Sequence, residues 1–169
     1  MKNRFLRLLQ HRWLDETDAR RALGKDGLAR IAARVAASER SHTGEIRVCV
    51  EAGLPLSYLW RGASARERAV TMFGKLRVWD TEANNGVLIY LLLAEHAIEI
   101  VADRELARHV DAAHWQRIVA GMGEAFKAGR FEAGLDQAIA AVDALLVAHF
   151  PLAPGAVNPN ELPDSPDLR

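Results

Sequence analysis

The sequence predicts an α/β domain: a β-α-β-β sheet covered by amphipathic helices, with two further helices at the C-terminal end. Three observations carry this. Val87 to Ala94 is a run of eight apolar residues entered through Asn84, Asn85 and Gly86, and a short unalternating run behind a turn signal reads as a strand covered on both faces. Ala97 to Ala102 is rich in β-branched residues and follows a short link, so the two segments form an antiparallel hairpin. Upstream, Ile46, Val48 and Val50 alternate with Glu45, Arg47 and Cys49, which is strand periodicity.

The remaining elements follow in chain order. Residues 2–14 read as a basic amphipathic helix with Phe5, Leu8, Leu9 and Trp13 on one face and Arg4, Arg7 and His11 opposite. Docking of the apolar face on its own domain is favoured over a peripheral membrane contact, because Asp15, Glu16 and Asp18 follow at once and anionic lipid would repel them. Asp26 is placed to cap a helix on which Leu28, Ile31, Ala32, Val35 and Ala36 share a face. Residues 53–62 read as a loop, punctuated by Gly53, Pro55 and Gly62, yet they carry Leu54, Leu56, Tyr58, Leu59 and Trp60. Such a loop either plugs the end of the core or forms a lid or docking patch through Leu56, Tyr58, Leu59 and Trp60.

Ser64 and Glu67 have capping-box spacing ahead of a helix marked by Ala69, Met72, Phe73 and Leu76. Since a β-α-β unit crosses over right-handed, the first two strands are parallel and the third runs back. Asp103 caps a short helical piece through Arg108; two longer helices follow, one marked by Trp115, Ile118, Val119, Met122 and Phe126, the other by Leu135 to Leu146, stopped by Pro151. Five of the six prolines fall in residues 151–169, which predicts a disordered tail. The organisation expected is thus an N-terminal helix over 1–20, a domain over 21–150 and a Pro-rich tail over 151–169.

Composition excludes several classes of function. Lys+Arg and Asp+Glu both total 22, so overall charge gives no reason to expect nucleic acid as a partner. A single cysteine, Cys49, rules out an internal disulfide framework and fits a reducing compartment. Charge interrupts the N-terminal apolar residues and no small-residue cleavage site follows, and no stretch approaches the ~20 apolar residues needed to cross a bilayer, so a cytoplasmic protein is expected.

No nucleophile elbow, phosphate-binding loop or His-Glu-x-x-His motif is present, and the six histidines lack metal-ligand spacing. Topology is more informative. One edge of the sheet collects His42 and Glu45 at the entry to the first strand, Glu82, Asn84 and Asn85 before the second, and Asp103 and Arg104 after the third. Glu45, Glu82, Asn84, Asn85 and Asp103 are the ligand types that calcium or magnesium takes. Asp103 and Arg104 are the candidate catalytic pair, with Arg104 and the amides after Asp103 attracting an anion. The alternative is a turn, an N-cap and a solvated rim.

Taken together, the Thr43 to Val48 strand entry, Asn84-Asn85-Gly86 leading into Val87-Leu88-Ile89, the hairpin through Val101 and the Gly129 to Leu135 segment resemble the TPM domain family over roughly Leu28 to Phe150. The resemblance implies an α/β sandwich, divalent-cation binding in some members and acid phosphatase activity in others. Where many members have Asp-Asn-Gly and a later Gly-x-Gly turn, this chain has Asn84-Asn85-Gly86 and Ala102-Asp103-Arg104. The function expected is a binding or assembly module for a protein partner, the alternative a weak phosphomonoester hydrolase acting on a small phosphorylated ligand.

Overall fold

The structure, a computed structural model, describes residues 4–169, with side chains from Leu6 onward. A mixed sheet lies at its centre, its strands in the order β3 (Ala97–Ala102), β2 (Val87–Leu92), β1 (Ile46–Glu51) and β4 (Asp167–Leu168). β1 pairs in parallel with β2, which pairs antiparallel with β3. Period-2 alternation divides the sheet's side chains between two cores. Ile46, Val48, Val50, Val87, Ile89 and Leu91 pack with α3 (Gly27–Ser38), α7 (Ala112–Lys127) and α8 (Phe131–His149). Cys49, Leu88, Tyr90 and Leu92 pack on the opposite face with Ala69 and Met72 of α5 (Ala65–Lys75). Both faces are therefore covered, and this is why β2 carries no polar position.

Local chemistry sets most helix starts. The Ser64–Glu67 capping box opens α5, and a second box, Asp15 with Asp18, opens α2 (Glu16–Leu23). Asp103 opens α6 (Arg104–His109) by accepting from the Arg104 amide at 2.7 Å. Asp26 corrects the expectation of a cap: it lies in the left-handed region at φ 62° and its side chain makes no cap bond to α3. Residues Leu56–Trp60, expected as a loop, form the short helix α4, because Pro55 supplies a preset φ of −56° and its carbonyl accepts from both Tyr58 and Leu59.

The C-terminal segment departs furthest from expectation. Rather than being disordered, it crosses the end of the sheet and adds β4 (Asp167–Leu168) parallel to β1. Leu162 is buried against the α5-side core, and Arg47 donates to the carbonyls of Pro163 and Ser165, the first at 2.7 Å. The physical reason is that β1 would otherwise be an open edge. Prolines cannot supply amides to a ladder, but their carbonyls can accept from a buried guanidinium.

Candidate functional site

The crossover brings the starts of β1 and β2 and the end of β3 to one edge. The Val87 amide donates to the Glu45 carbonyl at 2.8 Å, the Asp103 amide to Gly86 at 2.9 Å and the Glu105 amide to Asn84 at 3.1 Å. Glu45, the Asn84 turn and Asp103 thus lie side by side along three neighbouring strands. Asn84 adopts φ 50°, a conformation asparagine tolerates better than most residues. Gly86 is required by proximity: a Cβ there would sit 2.1 Å from the Val78 carbonyl oxygen.

The side chains at this edge are unequal. Glu45 is fully buried; one carboxylate oxygen accepts from the Leu162 amide at 3.0 Å and the other has no hydrogen-bond partner among the described residues. Burial pushes its carboxyl above the ordinary range. Asn85 is likewise buried, donating from Nδ2 to Thr43 Oγ1 at 3.2 Å while Oδ1 has no partner among the described residues. Asp103 caps α6 through Oδ1 and leaves Oδ2 buried and unpartnered among the described residues. Arg104 is mostly exposed and donates to Asn84 Oδ1 at 2.6 Å. Glu82 faces solvent, and its amide donates to the Glu161 carboxylate at 3.0 Å.

Calcium or magnesium needs six or more oxygens around one point. Alternation puts Glu45 and Asp103 on the α5 side with Arg47 and Val101, and Asn85 on the other side with Val87. A guanidinium already occupies Asn84 Oδ1, and among the described residues no three His, Cys, Asp or Glu side chains gather as a metal group. The five predicted ligands as arranged do not fit a single hard cation. His42 turns away from this edge: its Nδ1 donates to the Gly44 carbonyl at 3.0 Å and Nε2 lies 2.9 Å from Ser38 Oγ, which donates to Asp143 at 2.6 Å. This buried chain joins α3 to α8. It is poorly placed for nucleophilic chemistry, since Ser38 ends α3, where the helix dipole opposes a developing alkoxide.

At the other end of the sheet, α1 (Arg4–Arg12) packs beside α4. The first residues of the predicted 2–14 helix, and the side chains of Arg4 and Phe5, lie outside the described residues. The orientation of α1 differs from the expected one, keeping Leu8 inside but turning Leu9 and Trp13 outward. Arg7 and His11 face the domain, Arg7 donating to Glu95 at 2.6 Å and to the Ala63 carbonyl at 2.7 Å. His11 Nδ1 accepts from the Leu54 amide at 2.9 Å, so Nε2 bears the proton and faces Glu95 at 3.1 Å. Hydrogen bonds from His11 and then Arg7 hold the Glu95 carboxyl below its ordinary range. Leu8 packs inward, while Leu6 is 60% exposed, Leu9 53% and Trp13 81%. On α4, Leu59 is buried and Tyr58 donates to Thr71 at 2.9 Å, whereas Leu56 is 59% exposed and Trp60 77%.

With this geometry, the TPM domain family model matches residues 17–145. The chain belongs to that family. Among solved structures, the NMR structure of BA42 from the psychrophilic bacterium Bizionia argentinensis is similar at a TM-score of 0.72 and 25% identity, over 86% of this chain and 94% of that one. The N-terminal domain of a P. gingivalis protein is similar in fold, with a TM-score of 0.61 and 19% identity over 80% of this chain and 90% of that one. No curated protein matches.

In this TPM domain, the sequence reading missed Glu39 and Asp164. Glu39 accepts from the Ile46 amide at 2.8 Å and borders a cavity of about 360 Å³ with Asn158, Asn160 and Asp164. Burial, reinforced by the nearby Glu45 and Asp164 carboxylates, pushes its carboxyl up to about 8. The sequence carried no signal for it: Glu39 directly follows the last residue of α3, Ser38, and its cavity neighbours Asn158, Asn160 and Asp164 lie far off in the chain. Its significance depends on Asp164, in a segment expected to be disordered.

Proposed function

We propose that this TPM domain is a binding or assembly module working through the flank formed by α1 and α4. One observation carries the reading: Leu6 and Leu9 of α1, Trp13 just past its end, and Leu56 and Trp60 of the adjoining α4 are large apolar side chains, each more than half exposed. Apolar side chains grouped in this way mark interaction surfaces. The test is site-specific photo-crosslinking in cells from positions 9 and 56, with position 140, exposed on the outer side of α8, as control. Discrete adducts from 9 and 56 alone are expected; equal yields from all three would overturn the reading.

A second reading, phosphomonoester hydrolysis at the polar edge, is supported by the buried, unpartnered Asp103 Oδ2 beside the exposed Arg104 guanidinium. Arg104 would receive phosphoryl oxygens and Asp103 would orient the attacking water. Aryl phosphate hydrolysis from pH 4 to 8 would then fall at least tenfold, ~1.4 kcal/mol of transition-state stabilisation, in Asp103→Asn and Arg104→Ala. A rate that both variants leave unchanged would exclude chemistry at this edge.

A further inference from the structure

We infer that the α1–α4 flank docks on an anionic lipid surface, an inference that rests on the binding-module reading and names its partner. Leu6 and Leu9 are three residues apart on α1 and form one stripe, and Trp13, just past the helix end at Arg12, adds an exposed indole. That stripe points outward because Arg7 and His11 occupy the inward face on Glu95. An amphipathic helix pinned by its polar side presents its apolar side to whatever lies outside the fold. Leu56 and Trp60 of adjacent α4 extend the surface with a second indole. Tryptophans with leucines and flanking arginines are the composition of elements that lie in the headgroup region.

Charge selects lipid over a second copy of the chain. Residues 1–14 contain no Asp or Glu, and Arg12 is exposed among them. Arg61, exposed at the end of α4, stacks on the Tyr58 ring at 4.5 Å and reaches Glu67 at 3.5 Å. Two copies meeting across a two-fold axis would bring Arg12 and Arg61 toward their own images, whereas an anionic bilayer complements them. The acidic residues after Trp13 are already engaged: Asp15 caps α2, Glu16 pairs with Arg20 at 2.7 Å and Asp18 with Arg21 at 2.9 Å. Among the described residues no helix is long and apolar enough to cross a membrane, so the contact is interfacial.

The test uses the full chain with phosphatidylcholine vesicles and with vesicles containing phosphatidylglycerol, read by co-sedimentation and tryptophan emission. At least tenfold stronger partitioning on the anionic vesicles is expected, weakened by salt. The triple variant Leu6→Ser/Leu9→Ser/Trp13→Ser should lose at least tenfold without a change in thermal midpoint, and Arg12→Glu/Arg61→Glu should lose the preference for phosphatidylglycerol. Wild-type protein that ignores both vesicle types overturns the lipid assignment. If it also forms a dimer that the triple variant lacks, the flank remains a binding surface with a second copy as its partner. A large fall in the triple variant's midpoint would show that the stripe belongs to the fold's own core and would overturn both readings.

Discussion

At the scale of single residues, Glu39 makes folding depend on pH. Its folded pKa of about 8 lies well above the ordinary 4.5, so between these values the native state holds a proton that the unfolded chain has released. Stability from this group is complete below about pH 4.5 and declines as pH rises through 8. His42 acts in the opposite sense: burial lowers its pKa, so its contribution is present above 6.5 and lost as pH falls. Glu39→Gln keeps an acceptor for the Ile46 amide and removes the titration. Chemical denaturation from pH 5 to 8.5 should show wild type losing stability with rising pH and the variant losing less; equal slopes would refute the assignment. Gly86 gives a steric prediction. Gly86→Ala places a methyl against the Val78 carbonyl, and a loss of about 3 kcal/mol is expected from equilibrium unfolding. A loss below ~1 kcal/mol would mean that the turn gives way easily.

Between elements, the clearest coupling is the buried group that fastens α5 to the sheet. Arg68 donates to Glu51 through Nε at 2.8 Å and through its terminal nitrogen at 2.6 Å, and the Tyr90 hydroxyl donates to the same carboxylate at 2.6 Å. Glu51 carries the charge that Arg68 needs, and both side chains are about 95% buried. Burial and the Glu51 charge push the Tyr90 phenol well above its ordinary range, so it remains a donor. Glu51→Ala leaves a buried guanidinium unpaired and should cost ~3–5 kcal/mol. Glu51→Leu combined with Arg68→Met should cost less than the sum of the single changes, because no charge is then stranded. Simple additivity in the double-mutant cycle would show that the pair does not act as a unit.

Across the whole molecule, the C-terminal segment is part of the fold. Removing residues 160–169 exposes the β1 edge, uncovers Leu162's site and strips Arg47, which is 8% exposed, of its carbonyl acceptors. Burial of one leucine is worth roughly 1.5–3 kcal/mol. With the lost acceptors, a fall of about 3 kcal/mol is expected, or roughly 6–12 °C in midpoint for a chain of this size. A truncated protein melting within ~2 °C of the full chain would show that the segment only lies against the surface.

Much of this architecture was legible in the sequence because it depends on neighbours close in the chain. The unbroken apolar run at Val87, the alternation from Ile46 and the Ser64–Glu67 cap are patterns of period two, three or four, and each formed where the pattern lay. The convergence of Glu45, Asn84 and Asp103 on one edge follows from the same patterns combined with the handedness of the crossover. Only the tertiary structure decided which side of α1 faces inward. Apolar periodicity favoured Leu9 and Trp13, but Glu95 lies 88 residues from Arg7 and 84 from His11, and a half-buried carboxylate needing donors prevailed. The fate of the Pro-rich segment was likewise settled by groups far away in the chain, the open β1 ladder and the Arg47 guanidinium 116 residues from Pro163. Periodicity records how a segment can divide its own faces; it carries no record of which distant polar group will claim one of them.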